Sequence, residues 1–249
     1  MLALTIVTPT YNESDTISDF LHRLAAAAAK EPDVAVRSAI VDDSSPDGTA
    51  DVVRRLSAAL ATDNFSVTVL QRKQKEGLGA AYRWAFRKIL GESTPPDFII
   101  QMDADLSHDP KYISDLLREA RDGADFVVAS RYIPGGATPD WSLTRRVLSR
   151  GGNLYARIFL RSRLTDYTGG FNLFSRQLLE RLDVNTITVD GYGFQIALKH
   201  KASVHATQIR EVPIVFLDRA VGTSKLPKDT LLKSLILVPR LRLSEGEKR

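Results

Sequence analysis

Short aliphatic and β-branched runs alternate with longer amphipathic segments along the first 130 residues. Apolar residues that recur every three or four positions indicate helices, whereas compact apolar runs bounded by turn residues indicate strands. The pattern predicts strands over 3–8, 37–42, 66–71, 98–102 and 125–130, and helices over 14–29, 48–61, 77–90 and 110–121. This alternation predicts an α/β fold with a mostly parallel sheet and helices on both faces.

The pattern changes after residue 132. A Gly/Pro loop over 133–140 precedes a basic amphipathic stretch over 141–161, and a strand-like run covers 209–216. We interpret residues 1–225 as one domain with a C-terminal elaboration. Residues 226–249 are interpreted as an amphipathic basic tail.

The composition limits the class of protein. With 43% apolar and 26% charged residues, the chain is neither disordered nor fibrous in character. It contains no cysteine, which excludes disulfides and thiolate metal sites. We expect no signal peptide and no membrane span, because the N-terminus lacks a basic region and the apolar stretch 231–239 is too short.

Basic residues are concentrated in one region, although the formal net charge is only +4. Between Asp140 and Arg163 there are six arginines and one acid. Such a patch suits phosphates, an anionic membrane surface or nucleic acid, and it equally suits a solvated helix face.

Polar side chains follow the predicted strands. The stretches are TPTYNE (8–13), VDDSSPDG (41–48), QRKQKEG (71–77), DADLSHD (103–109) and SRY (130–132). Ligands of open parallel sheets bind where the carboxyl ends of the strands meet. The sequence therefore predicts one composite site.

Two acids stand out at the end of the fourth strand. Asp103 and Asp105 are two residues apart, so in an extended chain their side chains share one face. Hard cations such as Mg²⁺ or Mn²⁺ take carboxylate and phosphate oxygens. Asp109 before Pro110 is the better helix cap, which leaves Asp103 and Asp105 for metal or nucleotide binding.

Other motifs are less specific. Turn chemistry accounts for residues 45–49 but not for Asp42 and Asp43, and a strand-end acid can bind a ribose hydroxyl or a base edge. The sequence contains no dinucleotide fingerprint and no P-loop. Its four histidines show no ligand spacing, so we predict neither a zinc site nor a catalytic histidine.

Taken together, these stretches resemble the inverting family-2 glycosyltransferases with a GT-A fold, and especially the polyprenol-phosphate (dolichol-phosphate) mannose synthases. The matching segments also include GLGAAY (77–82), RRVLSRGGN (145–153), DYTGGF (166–171), GYGFQI (191–196) and EVPIVFLDRAVGTSK (211–225). They occur in order over most of the chain.

The resemblance implies a role for each matching residue. The donor nucleotide would be held by Pro9, Tyr11, Glu13, Val41 and Asp43. The sugar diphosphate would be held by Asp103, Ala104 and Asp105, with Mg²⁺ or Mn²⁺ on Asp105 and more weakly on Ser107. The lipid phosphate would be bound by Arg131 and Arg145, while the donor phosphates would be covered by Arg219 and Lys225. Catalysis would depend on Asp105, Arg131 and Arg219.

The implied reaction moves mannose from GDP-mannose to a polyprenyl or dolichyl phosphate with inversion. The implied setting is cytoplasmic, peripheral on the cytosolic face of a membrane, with a separate anchoring subunit possible and no nucleic acid. Ala197 stands where the family commonly carries Glu, so a UDP-glucose-dependent transferase stays an alternative. Two alternatives from other classes of protein also stay open, namely a phospho-receiver module and a non-catalytic membrane-surface protein.

Overall fold

The structure is a computed structural model and describes residues 1–189, 191–218 and 236–243. Within these ranges a seven-stranded sheet has the order β3-β2-β1-β4-β6-β5-β7. The strands are β1 (Leu2–Thr10), β2 (Val34–Asp42), β3 (Phe65–Gln71), β4 (Phe98–Gln101), β5 (Phe126–Ser130), β6 (Asn172–Ser175) and β7 (Ile209–Pro213).

Helices connect and cover the strands. They are α1 (Ile17–Ala28), α2 (Thr49–Leu60), α3 (Leu78–Leu90), α4 (Ile113–Arg121), α5 (Leu143–Phe159), α6 (Arg176–Arg181) and α7 (Tyr192–His205), with 3₁₀ turns at Pro110–Tyr112 and Val184–Thr186. Residues 236–243 are also helical.

The sheet is parallel except at β6, which pairs antiparallel with β4 and with β5. The predicted α/β fold class is confirmed. The sequence pattern missed β6, α6 and α7. The predicted helix 110–121 begins with a 3₁₀ turn, and Asp109 caps this turn by accepting the Lys111 backbone N–H at 3.0 Å.

Two apolar cores lie on opposite faces of the sheet, because successive strand side chains alternate between the faces. Ile6 points into the core that α1, α2 and α4 cover, whereas Val7 points into the core that α3, α5, α6 and α7 cover. This arrangement confirms the prediction of helices on both faces.

The C-terminal helix 236–243 packs on the second core. Val238 is 1% exposed within it, whereas Ile236 is 49% exposed. The predicted boundary between residues 225 and 226 lies outside the described residues and stays a prediction.

Candidate active site

The strand order reverses between β1 and β4. The chain runs outward through β1, β2 and β3 and then returns to place β4 on the other side of β1. In open α/β sheets this switch point opens a crevice at the carboxyl ends of the strands. The loops after β1, β2 and β4 therefore meet at one edge.

Each of these three loops contains a non-glycine residue in the left-handed region. The φ angles are 60° at Asn12, 57° at Ser44 and 65° at Leu106. Such a conformation costs roughly 1–3 kcal/mol and persists only where neighbouring contacts hold it. Here the Asn12 N–H donates to Ser45 Oγ at 3.1 Å, and Ser44 Oγ donates to the Arg72 carbonyl at 2.7 Å.

The loop after β4 presents the two predicted acids. Asp105 is 6% exposed, and the Asp103 side chain is 33% exposed. The Ser107 N–H and hydroxyl both donate to Asp105 Oδ1, at 3.1 and 2.5 Å. The structure therefore makes Ser107 an orienting partner of Asp105, and its hydroxyl oxygen retains lone pairs that a cation can use.

The buried His108 side chain forms a hydrogen bond with the backbone of this loop. It is 1% exposed, and its Nδ1 accepts the Asp103 backbone N–H at 3.1 Å. Burial lowers the pKa of His108 to about 4, so the ring is neutral at pH 7. A neutral ring that accepts at Nδ1 carries its proton on Nε2. The sequence reasoning gave His108 no role, and the structure makes it the support of the acidic loop.

On the other side of the crevice, Asp43 lies against an arginine. Arg72 Nη1 donates to Asp43 Oδ1 at 2.6 Å, and Arg72 Nη2 donates to Glu76. Burial raises the pKa of Asp43, and the bond from Arg72 opposes that shift. Lys75 Nζ lies 3.7 Å from the ring centroid of Tyr11. The sequence reasoning missed Arg72 and Lys75, although both belong to the polar stretch after β3.

The remaining residues that were predicted to bind the nucleotide sugar differ in burial and in their contacts. Val41 is fully buried and Ala104 is 3% exposed, and neither has a polar side chain to offer a ligand. Pro9 is the register partner of Val41 across β1 and β2. The Glu13 carboxylate accepts the Thr16 hydroxyl at 3.1 Å, at the start of α1.

Arg131, at the end of β5, forms a buried ion pair. Its Nε and Nη2 donate to the two oxygens of Asp166, each at 2.7 Å, and Nη2 also donates to the Thr168 hydroxyl at 2.8 Å. Arg131 is 6% exposed and Asp166 is fully buried. The fork geometry of the guanidinium directs its Nη1 edge away from Asp166.

A second cation lies beneath this pair. Lys199 on α7 is fully buried, and its Nζ donates to the Asp166 carbonyl at 2.7 Å. Burial lowers the pKa of Lys199 to about 8. Burial would raise the pKa of Asp166, but Arg131 and Lys199 together hold it well below its usual range. Asp166 is therefore ionised throughout the neutral range.

Aromatic rings surround the two predicted phosphate-binding arginines. The Arg131 guanidinium carbon lies 5.2 Å from the Trp141 centroid and 5.3 Å from the Phe216 centroid. The Arg145 guanidinium carbon lies 3.9 Å from the Trp141 centroid, and Arg145 Nη1 donates to Asp218 at 2.7 Å. The structure thus brings Arg131 and Arg145 onto one tryptophan.

Two consecutive glycines join this basic region to the acidic loop. A Cβ on Gly169 would lie 3.4 Å from both carboxylate oxygens of Asp166. A Cβ on Gly170 would lie 3.2 Å from Gln195 Nε2 and 3.4 Å from Asp103 Oδ2. The absence of a side chain at Gly170 therefore allows the loop that carries Asp166 to lie against the acidic loop.

A buried network of side-chain amides lies where the glycine-containing loop meets the acidic loop. Gln101 Nε2 donates to Gln195 Oε1, and Asn172 Nδ2 donates to Gln101 Oε1, both at 2.9 Å. Ala197 follows on α7 but is 2% exposed in the second apolar core. Gln195 thus faces the site, whereas Ala197 presents no polar group to it.

A different pocket, of about 260 Å³, lies at the opposite edge of the sheet, where β1, β2 and β3 begin. Its charged lining is Asp63 and the Arg37–Glu92 ion pair, with 2.9 Å between Nη2 and Oε2. The acids and arginines of the candidate site lie at the other edge, so we place the chemistry there.

Two of the predicted site residues have no described position. Arg219 and Lys225 lie outside the described residues. Among residues 1–189, 191–218 and 236–243, no cluster of three or more His, Cys, Asp or Glu side chains is placed to hold a metal. Asp103 and Asp105 are two hard oxygen donors beside an open crevice, and such a set fits a cation that also takes diphosphate oxygens.

A family model for glycosyl transferase family 2 matches residues 5–183. The chain belongs to this family. An undecaprenyl-phosphate mannosyltransferase of Micrococcus luteus is 39% identical over 98% of this chain and 95% of its own length. A polyprenol monophosphomannose synthase of Mycolicibacterium smegmatis is 36% identical over 94% of this chain and 84% of its own length. Within the family, the chain belongs with the polyprenol-phosphate mannose synthases, as the motifs predicted.

Solved structures agree on the fold. Mannosyl-3-phosphoglycerate synthase from Rubrobacter xylanophilus matches with a TM-score of 0.64 and 18% identity, over 100% of this chain and 76% of that one. A mannosyltransferase from Pyrobaculum calidifontis, solved with GDP-Man and Mn²⁺, matches with a TM-score of 0.59 and 18% identity. That match covers 97% of this chain and 73% of the other. The GT-A fold is thereby confirmed.

Asp166→Asn tests the buried ion pair. The amide keeps the shape but leaves Arg131 and Lys199 without their counter-charge. We expect the free energy of unfolding at pH 7 to fall by about 3–5 kcal/mol in urea denaturation. The exposed Asp115, which pairs with Arg118 at 2.7 Å, is the matched control. Asp115→Asn should cost less than about 1 kcal/mol.

The pH dependence has a definite sign. The folded pKa of Asp166 lies below its unfolded value, so its contribution is complete above roughly pH 4, where an unfolded Asp titrates, and is lost at lower pH. The stability difference between wild type and Asp166→Asn should therefore shrink from pH 5 to pH 2. A difference that grows over that range would contradict the assignment.

Proposed function

We propose that this chain transfers mannose from GDP-mannose to a polyprenyl phosphate and releases GDP. The observation that carries the proposal is the packing, at Gly170, of the loop that holds Arg131 through Asp166 against Asp103 of the acidic loop. An acidic loop with a cation suits a sugar diphosphate, and paired arginines suit a phosphate monoester. The names of the two relatives and the GDP-Man complex of the structural neighbour support the same donor and acceptor.

In this proposal Asp103 and Asp105 would hold the sugar diphosphate together with Mg²⁺ or Mn²⁺. When bound, the cation neutralises charge that develops on the leaving diphosphate. Ser107 keeps the Asp105 carboxylate in place, and His108 keeps the Asp103 backbone in place, before the substrate arrives. Such preorganised charge stabilisation commonly supplies the largest part of a rate enhancement. We also propose that Arg219 and Lys225 lie over the donor phosphates.

The nucleotide half of the proposed site lies beside Asp43 and Tyr11. Arg72 fixes the Asp43 carboxylate, and that carboxylate can accept from the N–H groups of a guanine edge. Lys75 stacks on Tyr11 and brings a positive charge to the rim of the same crevice. These contacts provide both a base-recognition acceptor and a cation for the diphosphate.

The acceptor requires positioning rather than deprotonation. A phosphate monoester has a second pKa near 6, so at pH 7 it is largely dianionic. One of its oxygens forms the new bond to the anomeric carbon while the carbon–oxygen bond to GDP breaks and its electron pair leaves with GDP. Attack from the face opposite GDP inverts the anomeric configuration. Arg131 and Arg145 compensate the acceptor charge in this step.

Helix α5 supports the proposed contact with a membrane surface. It leaves exposed the apolar side chains Leu143, Val147, Leu148, Leu154, Ile158 and Phe159. Leu143, Val147, Leu154 and Ile158 recur at helical spacing on one face. Arginines flank this stripe, and a basic amphipathic helix of this kind lies in the interface of an anionic bilayer. No helix in the described part of the chain is long and apolar enough to cross a bilayer.

The enzyme assay tests the proposal. The full chain is incubated with Mn²⁺ or Mg²⁺, polyprenyl phosphate and labelled GDP-mannose, and the lipid fraction is analysed. We expect a lipid-linked β-mannoside, no product with EDTA, and at least about a hundredfold lower turnover for Asp105→Asn. Asp115→Asn on α4, where the carboxylate pairs with Arg118 at 2.7 Å, should retain wild-type turnover. A lipid product from UDP-glucose instead of GDP-mannose would change the assigned sugar. The absence of a lipid product with every donor would contradict the proposed enzymatic activity.

Vesicle co-sedimentation tests the membrane contact. Leu154→Ser combined with Ile158→Ser removes two exposed apolar side chains from α5, and binding to vesicles with anionic lipid should fall roughly tenfold or more. Val204→Ser on α7, where the side chain is 44% exposed, is the matched control and should bind like wild type. Unchanged binding of the double variant would remove α5 from the interface.

A further inference from the structure

Trp141 is packed between charged and aromatic groups. It is 6% exposed, and its ring centroid lies 3.9 Å from the Arg145 guanidinium carbon and 5.2 Å from that of Arg131. Phe216 meets it edge-on, with 5.6 Å between centroids and 78° between planes. These contacts on several sides fix the orientation of the indole.

The indole N–H of Trp141 is buried, and among the described ranges it has no hydrogen-bond partner. An indole nitrogen only donates, and a buried donor without an acceptor carries its full desolvation penalty. A phenylalanine would fill most of the same space without that penalty. The N–H therefore indicates a missing acceptor atom in the working complex.

The charges around the ring indicate which kind of group accepts the hydrogen bond from the indole N–H. Two guanidinium groups contact the indole, so an anion is favoured over a neutral carbonyl. The ring also immediately precedes the N-cap of α5, Ser142, whose hydroxyl accepts the Arg145 backbone N–H at 3.3 Å. The N-terminal end of a helix favours negative charge as well.

Arg145 can turn to such an anion. Its present partner, Asp218, has a side chain that is 45% exposed. The Arg145 side chain is 22% exposed, and an ion pair that is partly open to solvent contributes only modest stability. A phosphate dianion offers Arg145 more charge and a bidentate partner in exchange.

We infer that Trp141 binds the acceptor: its Nε1–H donates to a non-bridging oxygen of the polyprenyl phosphate beside Arg145. The inference rests on the proposed function, because it assigns the anion as the lipid phosphate of that reaction. Trp141 then acts as a binding residue that also orients Arg145 by stacking. It supplies a directional donor to a phosphate that the arginines hold mainly by charge.

The chain has only two tryptophans, which permits a direct test by ¹H–¹⁵N NMR of the indole N–H signals. Trp84, on α3, serves as the internal control, and Trp84→Phe assigns the two signals. Titration of the full chain with citronellyl phosphate should shift the Trp141 signal downfield and leave Trp84 unchanged. Citronellol, which lacks the phosphate, should shift neither. A saturated acceptor site with an unmoved Trp141 signal would overturn the inference.

Inorganic phosphate separates a lipid acceptor from a general anion. It should shift the Trp141 signal only at much higher concentration than citronellyl phosphate does. An equal response to both at the same concentration would overturn the acceptor assignment. This titration does not require turnover, so it can fail while the enzyme assay succeeds, or succeed while the assay fails.

Kinetics supply the second test. Trp141→Phe should raise the KM for polyprenyl phosphate roughly tenfold, the factor for one hydrogen bond of about 1.4 kcal/mol. Arg145→Ala should act in the same direction, and both variants should bind GDP with Mn²⁺ as wild type does. A purely structural role for Trp141 would instead lower the melting temperature and leave that KM unchanged, which would overturn the inference.

Discussion

The buried ion pair between Asp166 and Arg131 is the contact on which the site depends. It joins the end of β5 to the loop before β6, and Lys199 of α7 donates a hydrogen bond to the backbone of the same loop. A buried pair of this kind stabilises the fold weakly compared with an apolar replacement, but breaking it is costly. Its value here is geometric, because it fixes the position of a guanidinium and of two following glycines.

Those glycines explain how opposite charges share one site. The acids after β4 would suit a cation and a diphosphate, whereas the arginines near Trp141 suit a second phosphate. At Gly170 the loop that carries Asp166, the partner of Arg131, lies directly against Asp103 of the acidic loop. A donor phosphate and an acceptor phosphate can thus be held apart by the protein while the sugar between them is within reach of both.

The sequence predicted the regular part of this structure and half of the site. Strands β1 to β5 were predictable because compact apolar runs alternate with amphipathic helices, and the acids after β4 followed from the switch-point rule. Strand β6 was missed because only Leu173 and Phe174 of its four residues are apolar, whereas the equally short β4 contains the apolar run 98–100. His108, Arg72 and Lys199 were missed for another reason: their roles depend on partners 5, 29 and 33 residues away, which spacing alone does not reveal.

The most direct measurement of the central claim is the turnover of Gly170→Ala. Its Cβ would lie 3.2 Å from Gln195 Nε2, closer than an ordinary contact, and 3.4 Å from Asp103 Oδ2. A displacement of about 1 Å can slow an aligned reaction severely. We predict at least about a tenfold loss of turnover with cooperative unfolding retained. Gly151→Ala on α5, whose Cβ would meet nothing within 4 Å, should keep full turnover. Wild-type turnover in Gly170→Ala would contradict the claim that the two halves form one centre.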